Sequence, residues 1–428
     1  MNMQRAASLT RRTCLQAFAG AAGLLLHGAS AKVARRKHAV HSKHEKHAAK
    51  KIPFDEWVTA FRAKAEAHGI TEATYARVMA GITPDMTGLK AIHEQPEFKE
   101  ELWQYLNRRV SDWRIETGRQ KAKQYADLFD RIEHDFGVAP SILLGVWGIE
   151  SSFGDPVIQK NYMRPVFPSL AALAWAEPHR NAYWQSELIN ALTIVQRGWS
   201  TPQQMVGSWA GAMGHTQWMP EVWLHVGIDY DHDGKISPFG PPDDALGSTA
   251  RFLVERGHYR RGEHWGYEVR MPAKLARGRA RARSYAEWKK LGVLRADGEA
   301  FPRPDNKARP WLPVPGGPAF LLGANFFAVK SYNPSTSYAL ALCHLGDRCA
   351  GGKPFVQQFP GGERAPTVAE IEEIQRRLTA LGYNTGGVDG RVGTQTMLAV
   401  QAYQRKIGMH PADGYAGVGL LARLRNGS

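Results

Sequence analysis

Between residues 54 and 133 apolar side chains return at helical spacing, as in Phe54, Trp57, Val58 and Phe61, and later Leu102, Tyr105, Leu106 and Val110. Spacings of three and four residues lay an apolar stripe along one side of a helix. The same signal runs through 183–197 and 245–256. Alternating or continuous apolar runs of strand length are few, at 266–271 and 319–329. The Ala/Arg-rich stretch 272–283 reads as an exposed face or loop. One segment breaks the amphipathic pattern. From Ile142 to Ile149 the chain is apolar on nearly every side, and it then closes with Glu150-Ser151-Ser152-Phe153-Gly154.

Beyond residue 350 the texture changes. Residues 351–365 are rich in Gly and Pro and read as a linker. A helix follows at 369–381, with Ile371, Ile374, Leu378 and Leu381 expected on one face. The turn Gly386-Gly387-Val388-Asp389-Gly390-Arg391-Val392-Gly393 leads to a second helix at 396–406. A partial echo, Asp413-Gly414-Tyr415-Ala416-Gly417, precedes the last. The pattern as a whole predicts a mainly α (α+β) protein, with a small β element late in a body spanning 52–350 and a separate helical module at 366–428.

The ends change the picture of charge and compartment. Thr10-Arg11-Arg12-Thr13-Cys14-Leu15, an apolar stretch from Ala17 to Leu26 and then Ala29-Ser30-Ala31 read as a twin-arginine signal peptide over 1–31. The apolar stretch is too short to span a bilayer, so no transmembrane span is expected and the mature protein belongs in the periplasm. Residues 32–51 carry eight Lys and Arg against Glu45 alone. Ten of the fifteen net positive charges therefore precede residue 52. The body is only mildly basic, which removes the case for a nucleic-acid partner. The arm, with His38, His41, His44 and His47, reads as a disordered basic tether suited to peripheral contact with an anionic membrane or wall polymer. After export two cysteines remain, Cys343 and Cys349. A pair this close in an oxidising compartment is suited to a small disulfide loop, with two unpaired thiols the alternative.

Glu150 is the candidate for chemistry. A carboxyl set against Trp147, Ile149 and Phe153 loses hydration, which disfavours its ionised form and raises its pKa. A glutamic acid still protonated near neutrality can hand a proton to a leaving oxygen. The segment from Phe136-Gly137-Val138-Ala139-Pro140 through Phe153-Gly154 resembles the catalytic-glutamate region of the lytic murein transglycosylase B family (glycoside hydrolase family 103, the SLT_2-type catalytic domain). Ser208-Trp209-Ala210-Gly211-Ala212-Met213-Gly214-His215-Thr216-Gln217-Trp218-Met219-Pro220 and Asp244-Ala245-Leu246-Gly247-Ser248 match as well. So do Gly81-Ile82-Thr83-Pro84-Asp85 and Gln95-Pro96-Glu97-Phe98, and the likeness runs in unbroken order over about 52–350. The terminal module resembles the three-helix peptidoglycan-binding domain.

The resemblance implies a lysozyme-like transglycosylase fold and a periplasmic lytic murein transglycosylase. Such an enzyme cleaves the MurNAc-β-1,4-GlcNAc bond with formation of 1,6-anhydro-MurNAc, with Glu150 as general acid and then base. It further implies a substrate groove that includes Ser208, Met213, Gln217 and Trp218. By the same resemblance the Tyr332-Asn333 and Tyr338 element is expected near the acid, and Arg180 matches the second of an arginine pair that helps bind glycan or peptide, with His179 at the first position here. Ordinary glycosidases use a second carboxylate. Asp155 lies out of phase with Glu150 and Glu221 reads as a solvated helix cap, so no obvious second one is present. A hydrolytic muramidase, or a catalytically inactive wall-binding scaffold, are the competing readings.

Asp229-Tyr230-Asp231-His232-Asp233-Gly234-Lys235-Ile236 opens like an EF-hand loop. Carboxylates of Asp229, Asp231 and Asp233, a turn glycine and the Lys235 carbonyl suit a structural Ca²⁺. Gly240 stands where the closing Glu belongs, which leaves Asp243 or Asp244 to close a longer loop. No cofactor is expected for the chemistry itself.

Overall fold

The computed structural model describes residues 52–93, 100–157, 162–276 and 281–427. The signal, the basic arm and the Gln95-Pro96-Glu97-Phe98 segment lie outside them. Seven helices open the body: α1 (Phe54–Ala67), α2 (Glu72–Met79), α3 (Thr87–His93), α4 (Leu102–Arg109), α5 (Asp112–Gln124), α6 (Ala126–Phe136) and α7 (Pro140–Ser151). The short strands β1 (Arg164–Pro165) and β2 (Val206–Gly207) pair antiparallel around α8 (Val166–Ala176) and α9 (Asn181–Gln196). Then come α10 (Pro220–His225) and α11 (Asp243–Glu255).

Helix α7 is the axis of this body. It begins with Pro at its first position, where the missing N–H costs nothing. Its apolar surface faces neighbours all round, and Ile142 through Gly148 are buried without a break. Its closest partner is α15 (Thr336–Cys349). The two backbones approach so nearly that a Cβ on Gly145 would stand 2.3 Å from the Leu342 carbonyl oxygen, and one on Gly346 2.0 Å from that of Ser141. Only glycine allows this crossing, and it brings the first turn of α15 beside the last turn of α7.

The β element is larger than the two expected runs. Strands β3 (Gly266–Arg270), β4 (Arg283–Ser284), β5 (Leu294–Arg295), β6 (Lys307–Trp311) and β7 (Ala319–Leu322) form one antiparallel sheet in the order β4-β6-β7-β3-β5. Helices α12 (Ala273–Ala276) and α13 (Tyr285–Lys290) accompany it. Strand β7 is buried on both faces. Phe320 and Leu322 join the main core, whereas Ala319 and Leu321 join a second core with Val269, Tyr285 and Trp288. That explains its unalternating sequence. The run 319–329 is not one strand. It breaks at Gly323, and residues Ala324–Tyr332 form α14.

The cysteine pair is not a disulfide. Cys343 and Cys349 are both free and buried on α15. Six residues of helix separate them by about 9 Å along the axis and aim them at different faces, beyond the reach of an S–S bond.

The C-terminal module packs α16 (Val368–Ala380), α17 (Thr394–Lys406) and α18 (Val418–Arg425) around Ile374, Leu378, Val400 and Leu420. Leu381 lies past the end of α16 and is 52% exposed, so it does not join the apolar face. The repeated Asp-Gly turns have a common anchor. Buried Gln375 accepts from the backbone N–H groups of Asp389 and Gly390 and donates to the Asp389 carboxylate. Buried Gln404 accepts from Gly414 N–H and donates to Asp413. Residues 351–365 are pinned along their length. Glu268 accepts from the N–H groups of Val356 and Gln357, and Phe355 stacks on His344 at 3.8 Å.

Candidate active site

Glu150 is the penultimate residue of α7. The helix then stops in an unusual way, because Ser152, Phe153 and Gly154 all adopt positive φ (50°, 64° and 74°). Two consecutive non-glycine residues in this region cost about 1–2 kcal/mol each, so the surroundings must hold them. Ser151 Oγ donates to the His215 carbonyl at 2.6 Å and accepts from Gly154 N–H at 2.9 Å. Arg114 donates to Ser152 Oγ (3.1 Å) and to the carbonyls of Gly148 (3.3 Å) and Arg108 (2.9 Å). His215 braces the same helix from the other side. Its Nδ1 accepts from the Trp147 indole N–H at 3.0 Å, and its Nε2 donates to the Gly240 carbonyl at 2.8 Å. Burial holds its pKa below the ordinary histidine value, and the neutral ring is the form these two bonds require.

The Glu150 carboxyl sits where α7, α4 and α15 meet. Burial pushes its pKa up to about 7, against the opposing pull of a hydrogen bond from Tyr338 and the charge of Arg109. Tyr338 lies in the first turn of α15, and its hydroxyl donates to Glu150 Oε1. Asn333 and Ser335 set that turn: Asn333 Oδ1 accepts from Ser335 N–H at 2.9 Å and Ser335 Oγ from Tyr338 N–H at 3.3 Å. Tyr332 ends α14, is buried, and donates its hydroxyl to the Thr216 carbonyl. Tyr105, Tyr332 and Tyr338 all have phenol pKa values raised, first by burial and then with the Glu150 charge among the causes. Three phenols therefore lie within electrostatic reach of one carboxyl; burial favours its neutral form in the free protein, and the Tyr338 hydrogen bond opposes that. No second carboxylate is among the groups that act on Glu150.

The structure brings Glu150, Tyr332, Asn333 and Tyr338 together. The 208–220 segment is a compact loop beside them, and its named side chains are buried. Ser208 Oγ accepts from the N–H groups of Ala210 and Ala212, while Met213 and Trp218 pair through both backbone N–H groups. Gln217 takes φ 55° and donates to the Gly214 carbonyl at 3.0 Å. Arg180 stands apart. Its guanidinium lies over Tyr183 at 4.3 Å and Trp184 at 5.0 Å, and its N–H caps onto Glu177. Glu221 is not a free cap. It pairs with both terminal nitrogens of Arg256, and its N–H donates to Glu187, a buried carboxyl whose pKa burial raises to about 7.

The acidic loop gathers Asp229, Asp231 and Asp244, with oxygens within 4.8 Å of one another. Of the two closing candidates, Asp244 faces this group. Its oxygens accept from the N–H groups of Tyr230 (2.6 Å) and Ser237 (2.9 Å), whereas Asp243 pairs with Arg131 at 3.2 Å. Burial and the neighbouring Asp231 raise the Asp244 pKa. Three converging carboxylates with surplus negative charge fit a hard divalent cation. Asp233 is not in that group; its carboxylate accepts from Lys235 N–H at 2.8 Å and shapes the turn.

Tyr105, Arg109, Arg114 and the structural role of His215 were not singled out from the sequence. The first three lie on α4 and α5, far from Glu150 along the chain, and carried no signal beyond helical periodicity. His215 lies within the 208–220 segment.

A sequence-family model described as the transglycosylase SLT domain matches residues 53–347. The chain belongs to this family, the lytic transglycosylases that cleave peptidoglycan. A second family, described as a peptidoglycan binding domain, matches residues 367–424. Among solved structures the chain is similar to SltB3 from Pseudomonas aeruginosa in complex with NAG-anhNAM-pentapeptide, at 36% identity and a TM-score of 0.67 over 87% of this chain and 99% of that one. The same protein in complex with NAG-NAM-pentapeptide matches at 37% and 0.68, with the same coverage. Membrane-bound lytic murein transglycosylase B of Escherichia coli (strain K12) is 29% identical over 253 residues, spanning 58% of this chain and 66% of that relative's length. The Escherichia coli lytic transglycosylase Slt35, in complex with calcium, shares the fold at 24% identity and a TM-score of 0.58, over 70% of this chain and 93% of that one. Among the described residues no helix is long and apolar enough to cross a membrane.

Proposed function

We propose that this chain is a periplasmic lytic murein transglycosylase that cleaves the MurNAc-β-1,4-GlcNAc bond and leaves a 1,6-anhydro-MurNAc end. The observation that carries the reading is one carboxyl, held near neutrality by burial, with no second carboxylate acting on it. Protonated Glu150 gives its proton to the glycosidic oxygen as the bond from C1 breaks and GlcNAc leaves. The muramoyl N-acetyl oxygen assists the electron-poor C1. The Glu150 carboxylate, now accepting from Tyr338, takes the proton of the sugar's own 6-hydroxyl. O6 closes on C1 and no water is consumed. Glu150 ends protonated, ready for the next cycle.

The relative crystallised with NAG-anhNAM-pentapeptide supports this product class. In this reading Ser208, Met213, Gln217 and Trp218 build the floor of the groove from within, because their side chains are spent on the loop's own geometry. Arg180 contacts glycan or peptide at its edge. Asp229, Asp231, Asp244 and the Lys235 carbonyl hold a structural Ca²⁺, whose loop reaches the catalytic helix through Gly240, His215 and Trp147. The module at 366–428 binds the wall, and the leader at 1–31 exports the chain by the twin-arginine route.

Digestion of purified murein followed by mass spectrometry tests the proposal. Muramoyl ends lighter by one water and resistant to borohydride are expected. Reducible muramic acid as the main product would make the enzyme a hydrolytic muramidase, and no product at all would leave a wall-binding scaffold.

A further inference from the structure

Both Asp-Gly turns of the terminal module face the catalytic body. In the first, the Arg391 guanidinium pairs with the Asp155 carboxylate and lies 4.3 Å over the Trp113 ring. The pair is largely withdrawn from solvent, at 22% and 11% side-chain exposure. A charge-assisted pair so placed is stronger and more directional than a surface one. Thr394, just beyond, shares a hydrogen bond with Tyr162. In the second turn, Asp413 accepts from Gln104 at 2.6 Å, and the Tyr415 hydroxyl accepts from Asn107 at 2.9 Å while its ring meets Trp103 edge-on. At the head of α16, Val368 N–H donates to Asp112 at 3.3 Å.

Apart from Asp155 and Tyr162, these partners belong to α4 and α5, which also carry Tyr105 and Arg109 toward the acid and Arg114 to the turn behind it. Asp155 matters most. It follows directly on the left-handed turn 152–154, and its N–H closes that turn onto the Ser151 carbonyl at 3.1 Å. The turn ends the helix that presents Glu150, and it is the strained part of the site. The body grips it through Arg114 and His215, and the module grips its far end through Arg391. The segment between is no loose leash, because Glu268, Phe355 and the packing of Gly362 on Trp103 fix its path.

We infer that the C-terminal module is a working part of the catalytic centre: Arg391 reaches across the domain boundary to clamp Asp155, and so fixes the left-handed turn that aims Glu150. Arg391 is thereby a positioning residue, distinct from any part the module plays in holding the wall. The inference rests on Glu150 being the acid. Loss of turnover in Glu150→Gln on the same substrate tests that separately.

Full-length Arg391→Gln, Arg391→Lys, Asp155→Asn and the Arg391→Gln/Asp155→Asn double variant are assayed on short soluble glycan chains, where tethering to an insoluble polymer plays no part. Misplacing a catalytic group slightly costs rate rather than binding. Arg391→Gln should lower kcat by about tenfold and leave KM within about twofold. Arg391→Lys should recover most of the loss, and the double variant should be no worse than the poorer single one, since both remove one interaction. Sedimentation of Arg391→Gln with sacculi should be unchanged. The inference is overturned if Arg391→Gln keeps kcat within twofold of wild type, if the loss appears in KM alone, or if the losses from Arg391→Gln and Asp155→Asn multiply.

Discussion

Replacing Glu150 by Gln should make the protein more stable as well as inactive, and the gain should depend on pH. The carboxyl titrates near 7 in the folded chain against 4.5 for the unperturbed group, so the native state holds this proton more tightly than the unfolded state. Its contribution to stability is complete below about pH 4.5 and is lost as pH rises through about 7. A gap of about 2.5 pKa units corresponds to about 3 kcal/mol. Gln keeps the shape and can still accept from Tyr338, but it cannot ionise. The stability difference between Glu150→Gln and wild type should therefore widen by about 3 kcal/mol between pH 4.5 and pH 8. For a body of this size that is about 6 °C in Tm. Taking the difference across pH cancels any constant effect of the substitution. Turnover at neutral pH should fall by about a hundredfold or more while sacculus binding survives. A stability difference that does not change with pH, or that moves against the variant as pH rises, would refute the buried-acid argument.

Three further outcomes follow from the same geometry. Tyr338→Phe removes a hydrogen bond that pulls the Glu150 pKa down, so the alkaline limb of kcat/KM should move up by about one pH unit as kcat falls about tenfold; an unmoved or downward-shifted limb counts against the contact. Calcium at about 100 times its Kd should stabilise the body by about 2.7 kcal/mol, and more weakly as pH drops toward the raised Asp244 pKa. Asp231→Asn should remove most of that gain, and no Tm shift at millimolar calcium would reduce the loop to a turn. Gln375→Ala strips the acceptor from the N–H groups of Asp389 and Gly390 and should destabilise the module by about 2–4 kcal/mol, with loss of sacculus sedimentation. An unchanged module transition in hydrogen exchange would show that the amide clamp is dispensable.

The core of the site was legible because its signal is local. An apolar run with no polar face is a buried element, and a carboxyl at its end is desolvated; α7 is buried along its length and burial raises the Glu150 pKa. The helices of the body and module fell close to their expected places for the same reason. What escaped was set by contacts distant along the chain. Tyr105 and Arg109 look like any amphipathic helix until α4 packs on α15 and brings them toward Glu150. The Asp-Gly repeat was visible, but not Gln375 and Gln404, whose amides make that repeat necessary. The 319–329 run misled because a doubly buried strand and a buried helix share one composition, and only Gly323 marks the change. The cysteine pair misled because spacing along a chain says nothing of helical phase. The linker's Gly and Pro content reads as slack, yet its backbone is held by Glu268, a residue of the sheet.

The central claim is that one acid cleaves the glycan without water. Digestion of murein by the wild-type enzyme in water enriched in ¹⁸O tests it most directly. The account predicts new muramoyl ends that carry no label and are lighter by one water than hydrolysed ends. Incorporation of one ¹⁸O at the new muramoyl C1 would mean that water attacks there, and would contradict it.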